Sequence, residues 1–223
     1  MSVAFERNYL FPSIAYKTVI SPSSYNKQKY LDLITENYNR QPLRNKWSNV
    51  ANFHHYYDDW DNNKFEKLDL NELRNLYGNI IDSFMSDQIM FSNVIEYTWN
   101  IVNVTASKNP QEMGMHNHLH RDENYTCHFS AIHYMKIGEN HSRTEFRNPL
   151  IVGYTELTLG DIGRKLSPNQ IENSSFFRNW SLNWSEDDFV IFPAYLDHSV
   201  PKRKEETEDL RITVACNIYL KLD

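Results

Sequence analysis

Cysteine and glycine are scarce in this chain of 223 residues, which holds two of the former and six of the latter. Cys127 and Cys216 stand too far apart for any metal-ligand spacing, which excludes a zinc framework and leaves both as reduced residues within strands. No glycine-rich loop is present to cradle a phosphate. No Gly-x-Ser-x-Gly elbow or cysteine–histidine pair marks a protein nucleophile. A long hydrophobic run is also missing, so the sequence offers no bilayer-spanning helix. The opening Met1-Ser-Val-Ala-Phe-Glu-Arg7 lacks the charged, apolar and small-residue parts of a secretory signal, and the expected location is the cytoplasm. Positive charge is not in excess either. A formal net charge of −6 argues against a dedicated binder of nucleic acid or of an acidic membrane surface.

The length fits a single domain spanning residues 1–223, long enough to bury a core without metal or disulfide support. The pattern changes near residue 94. Before it, Tyr9–Ile20 alternates loosely as an opening strand. Helical spacing follows over Tyr25–Tyr38 and more strongly over Leu70–Ser86, where Leu70, Leu73, Leu76, Tyr77, Ile80, Ile81 and Phe84 share one stripe. Asp69 or Asn71 is the expected N-cap of the second helix. Both helices are expected to pack on the outside of a sheet.

After residue 94 short strands follow one another: Val94–Thr105, Met113–His118, Phe129–Lys136, Thr144–Phe146, Ile151–Leu159, Phe189–Phe192 and Arg211–Leu220, separated by turn residues such as Asn109-Pro110 and Gly160-Asp161. The expected fold is mostly β with flanking helices: a double-stranded β-helix, or jelly roll, of the cupin-like kind. Residues 1–93 are its support, 94–220 its core, and 160–186 an inserted loop or lid.

The stretch His116-Asn-His-Leu-His-Arg-Asp122 places three histidines and an aspartate at every second position. In an extended strand these would share one face. Histidine binds a divalent metal through a neutral ring nitrogen, and a carboxylate helps neutralise the charge. Two proximal pairs can be drawn, His116/His118 and His120/Asp122. His198 lies far downstream as a distal ligand, and Arg211 opens the apolar alternating run Ile212–Cys216. A buried arginine fork there requires an acid, either from a ligand or from the nearby Glu208 or Asp209. Trp180, Trp184, Phe176, Phe177 and Tyr195 are aromatics placed to line a mouth or fill a core, and the mixed-charge run Lys202–Asp209 reads as a solvated turn.

Six elements appear in order: Trp99–Asn103, Gly114–His120, Ser130–Tyr134, Thr144–Pro149, Phe189–Val200 and Arg211–Asn217. With them the chain resembles the 2-oxoglutarate, Fe(II)-dependent oxygenases with a prolyl-hydroxylase-like jelly roll. It is similar in particular to the branch of marine bacteria and tailed phages, which carries His-x-His where the wider superfamily has His-x-Asp. The resemblance implies that His116, His118 and His198 hold Fe(II), with His120 and Asp122 as the alternative proximal pair. It implies that Arg211, Thr213 and Tyr134 hold 2-oxoglutarate. Oxidative decarboxylation of that cosubstrate by oxygen would then drive hydroxylation of a C–H bond. A peptidyl residue such as proline is the first expectation for the substrate, and a small molecule or nucleobase the second. A jelly-roll module that binds metal or ligand without turnover is the alternative outside enzymology.

Overall fold

Alternation in the second half of the chain builds two antiparallel sheets, and the two helices cover one of them. The computed structural model describes residues 13–40, 51–53, 68–88, 96–149, 165, 167, 179–205 and 207–221. The strands are β1 (Tyr16–Val19), β2 (Ala51–Phe53), β3 (Tyr97–Ser107), β4 (Met113–His116), β5 (Tyr125–Lys136), β6 (Glu145–Arg147), β7 (Asn179–Ser181), β8 (Asp188–Pro193), β9 (His198–Val200) and β10 (Arg211–Lys221). The larger sheet runs β1-β8-β5-β10-β3-β2 and the smaller one β4-β9-β6-β7. This is the mostly-β jelly roll with flanking helices expected from the sequence.

Strand periodicity decides what each face of the larger sheet meets. On β10, Ile212, Val214, Cys216, Ile218 and Leu220 join a core with Phe129, Ala131 and Met135 of β5. Helix α1 (Lys27–Arg40) adds Tyr30, Ile34 and Tyr38 to that core, and α2 (Asn71–Ser83) adds Leu73, Tyr77 and Ile81 at four-residue intervals. The opposite parity of β5 faces the smaller sheet. There Ile132 and Tyr134 pack with Phe146, Trp184, Val190, Phe192 and Leu196. Both cysteines are buried and free, Cys127 on β5 and Cys216 on β10.

Polar ties fix the helices to the sheet. The Tyr77 hydroxyl of α2 meets His133 Nδ1 of β5 at 2.7 Å, with His133 fully buried. Lys27 at the start of α1 pairs with Asp187 at 2.6 Å. Asp187 sits in the turn before β8 with φ 68°, a left-handed conformation that an aspartate tolerates better than most residues.

Several local expectations shift. The second helix starts at Asn71 behind Leu70, which supplies no side-chain cap. Asp69 Oδ1 instead accepts from the Asn71 N–H at 3.0 Å. The helix widens into a single π turn over Phe84–Gln88. Strand β5 begins four residues earlier than its apolar alternation suggests, at Tyr125. The three-residue strands β7 and β9 are too short to carry a readable period. The expected strand Ile151–Leu159 lies outside the described residues, as do residues 9–12 of the opening strand. Of the segment 160–186, the described part is Lys165, Ser167 and 179–186.

Candidate metal and cosubstrate site

His116 and His198 are cross-strand partners at the β4–β9 pairing, and Phe146 of β6 stands beside His198 on its other side. Strand β4 ends at His116, so the alternation that would align His116, His118, His120 and Asp122 does not continue. The His118 N–H donates to Ala194 O at 3.0 Å, which turns its ring toward the other two. The ligand atoms of His116, His118 and His198 all lie within 4.8 Å of one another. Ring centroids are 4.3 Å apart for His116 and His198, and 5.1 Å apart for His118 and His198.

His120 and Asp122 are exposed and stand outside this group. The Asp122 carboxylate accepts from the N–H groups of Asn124 and Tyr125 at 2.8 and 2.7 Å, which pulls its pKa below the usual range. It is occupied in organising a turn.

The hydrogen bonds of the three imidazoles set their tautomers. His116 Nδ1 lies 2.8 Å from Gly114 O, His198 Nδ1 lies 2.9 Å from Leu196 O, and His118 Nδ1 lies 2.6 Å from Asn217 Oδ1. Each partner is an acceptor, so each Nδ1 carries the proton and each Nε2 keeps its lone pair. Burial keeps the rings neutral. Desolvation, then the neighbouring His116 and His118, lowers His198 to about 3. Desolvation, followed by the His116 charge and against the pull of Asn217, lowers His118 to about 4. Phe146 and Phe192 supply that dry environment, with the Phe192 ring edge-on to His198 at 5.1 Å. Neutral imidazoles with converging lone pairs form a donor set for a borderline divalent metal, and none of the three is a carboxylate.

Arg211 opens β10 and is 4 % exposed. Its Nη2 donates to Thr144 Oγ1 at 2.9 Å, and its guanidinium lies 5.5 Å from the centre of the Tyr134 ring. Arg211 Nε is buried without a partner, and no carboxylate pairs with Arg211 among the described residues. Asp209, one of the two nearby acids offered as an internal partner, pairs with Lys136 at 3.0 Å instead. The Tyr134 hydroxyl donates to Thr144 Oγ1 at 2.9 Å, so Thr144 receives from both neighbours. Thr213 faces Thr105, hydroxyl to hydroxyl, at 2.7 Å. Arg211, Tyr134 and Thr144 thus form one buried group, and Thr213 stands on the same strand as Arg211. A buried cation without a counter-charge costs several kcal/mol. It fits a site awaiting an anionic ligand.

Sequence reasoning missed Thr144 and Asn217. No periodicity announces Thr144, which precedes a three-residue strand. Asn217 does carry a signal, an odd-position polar residue in line with Arg211 and Thr213 on β10. Among the aromatics, Trp184 is core and stacks beside Tyr134, Trp180 and Tyr195 are exposed at 54 % and 45 %, and Phe176 and Phe177 lie outside the described residues. Lys202–Glu205 and Glu208–Asp209 are exposed, as a solvated turn requires.

A family described as "Putative 2OG-Fe(II) oxygenase" matches residues 102–217, more than half of the chain. The chain belongs to this family of 2-oxoglutarate and Fe(II)-dependent oxygenases. No curated protein matches it in sequence. Among solved structures it is similar to the viral collagen prolyl hydroxylase of Paramecium bursaria Chlorella virus-1 in its 2-oxoglutarate complex. That likeness has a TM-score of 0.54 at 10% identity over 92% of this chain and 95% of that one. A prolyl-4-hydroxylase of Pseudomonas putida follows with a TM-score of 0.46 at 8% identity, covering 95% and 94%. HygX of Streptomyces hygroscopicus, with nickel and 2-oxoglutarate bound, has a TM-score of 0.47 at 9% identity, covering 93% and 82%. At such identities the first of these establishes a shared fold. The metal and cosubstrate belong to the family assignment.

Proposed function

We propose that the chain is a hydroxylase in which His116, His118 and His198 hold Fe(II), and Arg211 with Tyr134 and Thr144 anchors the far carboxylate of 2-oxoglutarate. The observation that carries this reading is Arg211: a buried guanidinium, lacking any carboxylate partner among the described residues, in a family that uses a dicarboxylate. Its planar fork suits a carboxylate, and Thr144 holds it on one side while leaving Nε–H to donate. Thr213 stands two residues along β10 as a further hydroxyl at this anchor.

Bound Fe(II) supplies the oxidative chemistry, coupling decarboxylation of 2-oxoglutarate by oxygen to hydroxylation of a substrate C–H bond. The protein's part is geometric and electrostatic. The Nδ1–H donations hold each imidazole in the tautomer that presents Nε2. Phe146, Phe192 and Leu196 keep water from the interior side. Met115, Leu119 and Tyr195, exposed at 43 %, 62 % and 45 %, flank the histidine-bearing segments and offer apolar contact to a substrate. Peptidyl proline is the first substrate to test, since a collagen prolyl hydroxylase shares the fold. In this reading one domain carries the activity in the cytoplasm, with residues 94–220 as its catalytic core and residues 1–93 as support.

The test is anaerobic addition of Fe(II) and then 2-oxoglutarate, read by the weak visible charge-transfer band of the chelate, followed by succinate release in air. The wild type gives the band and His198→Ala loses it. Asp122→Ala keeps its iron while His118→Ala does not. A band that survives His198→Ala, or iron lost only from Asp122→Ala, would overturn the ligand assignment.

A further inference from the structure

Two of the three imidazoles are oriented locally. His116 Nδ1 and His198 Nδ1 each donate to a main-chain carbonyl two residues upstream, Gly114 O and Leu196 O. Such a tie is local to the chain and does not depend on any other side chain. His118 differs, because it lies beyond the end of β4 and no carbonyl of its own strand holds it. Its Nδ1 donates across 99 residues of sequence to the side chain of Asn217 on β10, at 2.6 Å.

Asn217 is itself held. Its Oδ1 also accepts from the Ser130 hydroxyl of β5 at 3.2 Å, and its Nδ2 donates to the Tyr219 hydroxyl at 3.2 Å. A His118 that presents Nε2 to a metal carries its proton on Nδ1, and that donor calls for the amide oxygen rather than the nitrogen at this position. Asn217 is 7 % exposed, so water does not compete for these bonds.

We infer that Asn217 is a positioning residue for the metal centre, setting the tautomer and ring direction of His118 from the same strand that carries Arg211. The inference rests on the ligand assignment given above. A neutral amide accepts the Nδ1 proton without drawing it away, so His118 stays a neutral ligand. A carboxylate at position 217 would accept the same bond and make the imidazole a stronger donor. Through β10, the residue that aims a metal ligand and the residue that anchors the cosubstrate become parts of one rigid element.

The experiment is titration of metal-free protein with Co(II), followed by its visible absorption, for wild type, His118→Ala, Asn217→Leu, Asn217→Asp and Tyr219→Phe, each checked for a cooperative thermal melt. Loss of an outer hydrogen-bond partner weakens metal binding by roughly 10- to 100-fold, and that is the expected loss in Asn217→Leu. Asn217→Asp retains or exceeds wild-type affinity, and Tyr219→Phe stays close to it. Both position-217 variants lose the Nδ2 donor to Tyr219, so a merely structural role predicts equal effects for the two. Equal Co(II) affinity in Asn217→Leu and Asn217→Asp, whether both weak or both like wild type, overturns the inference. If the wild type and His118→Ala bind Co(II) alike, the ligand assignment itself falls, and this inference with it. If they differ while Asn217→Leu matches the wild type, the positioning role alone falls.

Discussion

As the proposed anchor of 2-oxoglutarate, Arg211 would be costly to the ligand-free protein and valuable to the loaded one. Buried against Tyr134 and Thr144 with Nε unpartnered, it has a guanidinium pKa that burial lowers from the usual arginine range. Arg211→Leu is expected to weaken 2-oxoglutarate binding by roughly 10- to 100-fold, the equivalent of about 1.5–3 kcal/mol for a hydrogen bond to a charged group. The same substitution should leave the melting temperature of the ligand-free protein unchanged or raised, because it removes an uncompensated buried charge. Titration of the charge-transfer band and a thermal melt of each protein check the two halves of this prediction.

The histidines make a pH prediction at the same scale. Burial lowers the pKa of His118 and His198 from the usual histidine value of 6.5 to about 4 and about 3. The unfolded chain therefore takes up protons first as pH falls. The stability they contribute to the metal-free protein is complete above about pH 6.5 and is lost as pH falls through their folded values, near 4 and 3. Urea denaturation between pH 7 and pH 4 should show stability falling with acid. The slope should be shallower in His198→Ala, which no longer carries the group.

Among the elements, α2 matters through one hydroxyl. The Tyr77–His133 bond joins the helix to the centre of β5 with both partners fully buried. Tyr77→Phe preserves the packing against Phe189 but leaves His133 Nδ1 unpartnered. A loss of about 1–3 kcal/mol follows from stranding a buried polar atom. Equilibrium urea unfolding should show this loss with an unchanged denaturant slope, while metal affinity stays as in the wild type, since His133 faces away from the metal cluster.

The elements also show how far the sequence reaches. Helix α2 and strands β3, β5, β8 and β10 are readable because a long stripe or alternation records burial on one face. Strands β7 and β9 are not, since three residues hold less than two periods. His198 was nevertheless legible as a candidate ligand, although its strand was not. Its chemical identity and its distance before Arg211 carried the signal.

For the whole molecule, metal and cosubstrate are part of the folding equilibrium. A ligand at about 100 times its dissociation constant stabilises the native state by about 2.7 kcal/mol. For a domain of this size that corresponds to a rise of about 5–10 °C in the melting temperature. Fe(II) with 2-oxoglutarate under anaerobic conditions should give such a rise, a chelator should reverse it, and His198→Ala should not show it. No helix among the described residues is long and apolar enough to cross a membrane.

The sequence by itself determined the class of fold, the family, the downstream histidine and the arginine at the head of a core strand, because these rest on periodicity and residue chemistry along the chain. It left two proximal pairs to set beside His198, the equally spaced His116/His118 and His120/Asp122, with the family resemblance favouring the first. Only the tertiary structure brings one of these pairs, His116 and His118, together with His198. Strand β4 stops at His116, the following turn gives the Asp122 carboxylate to its own backbone, and β9 and β10 present His198 and Asn217 to His116 and His118. Where a strand ends is decided by what it pairs with, and that partner lies about eighty residues away, beyond the reach of any local pattern.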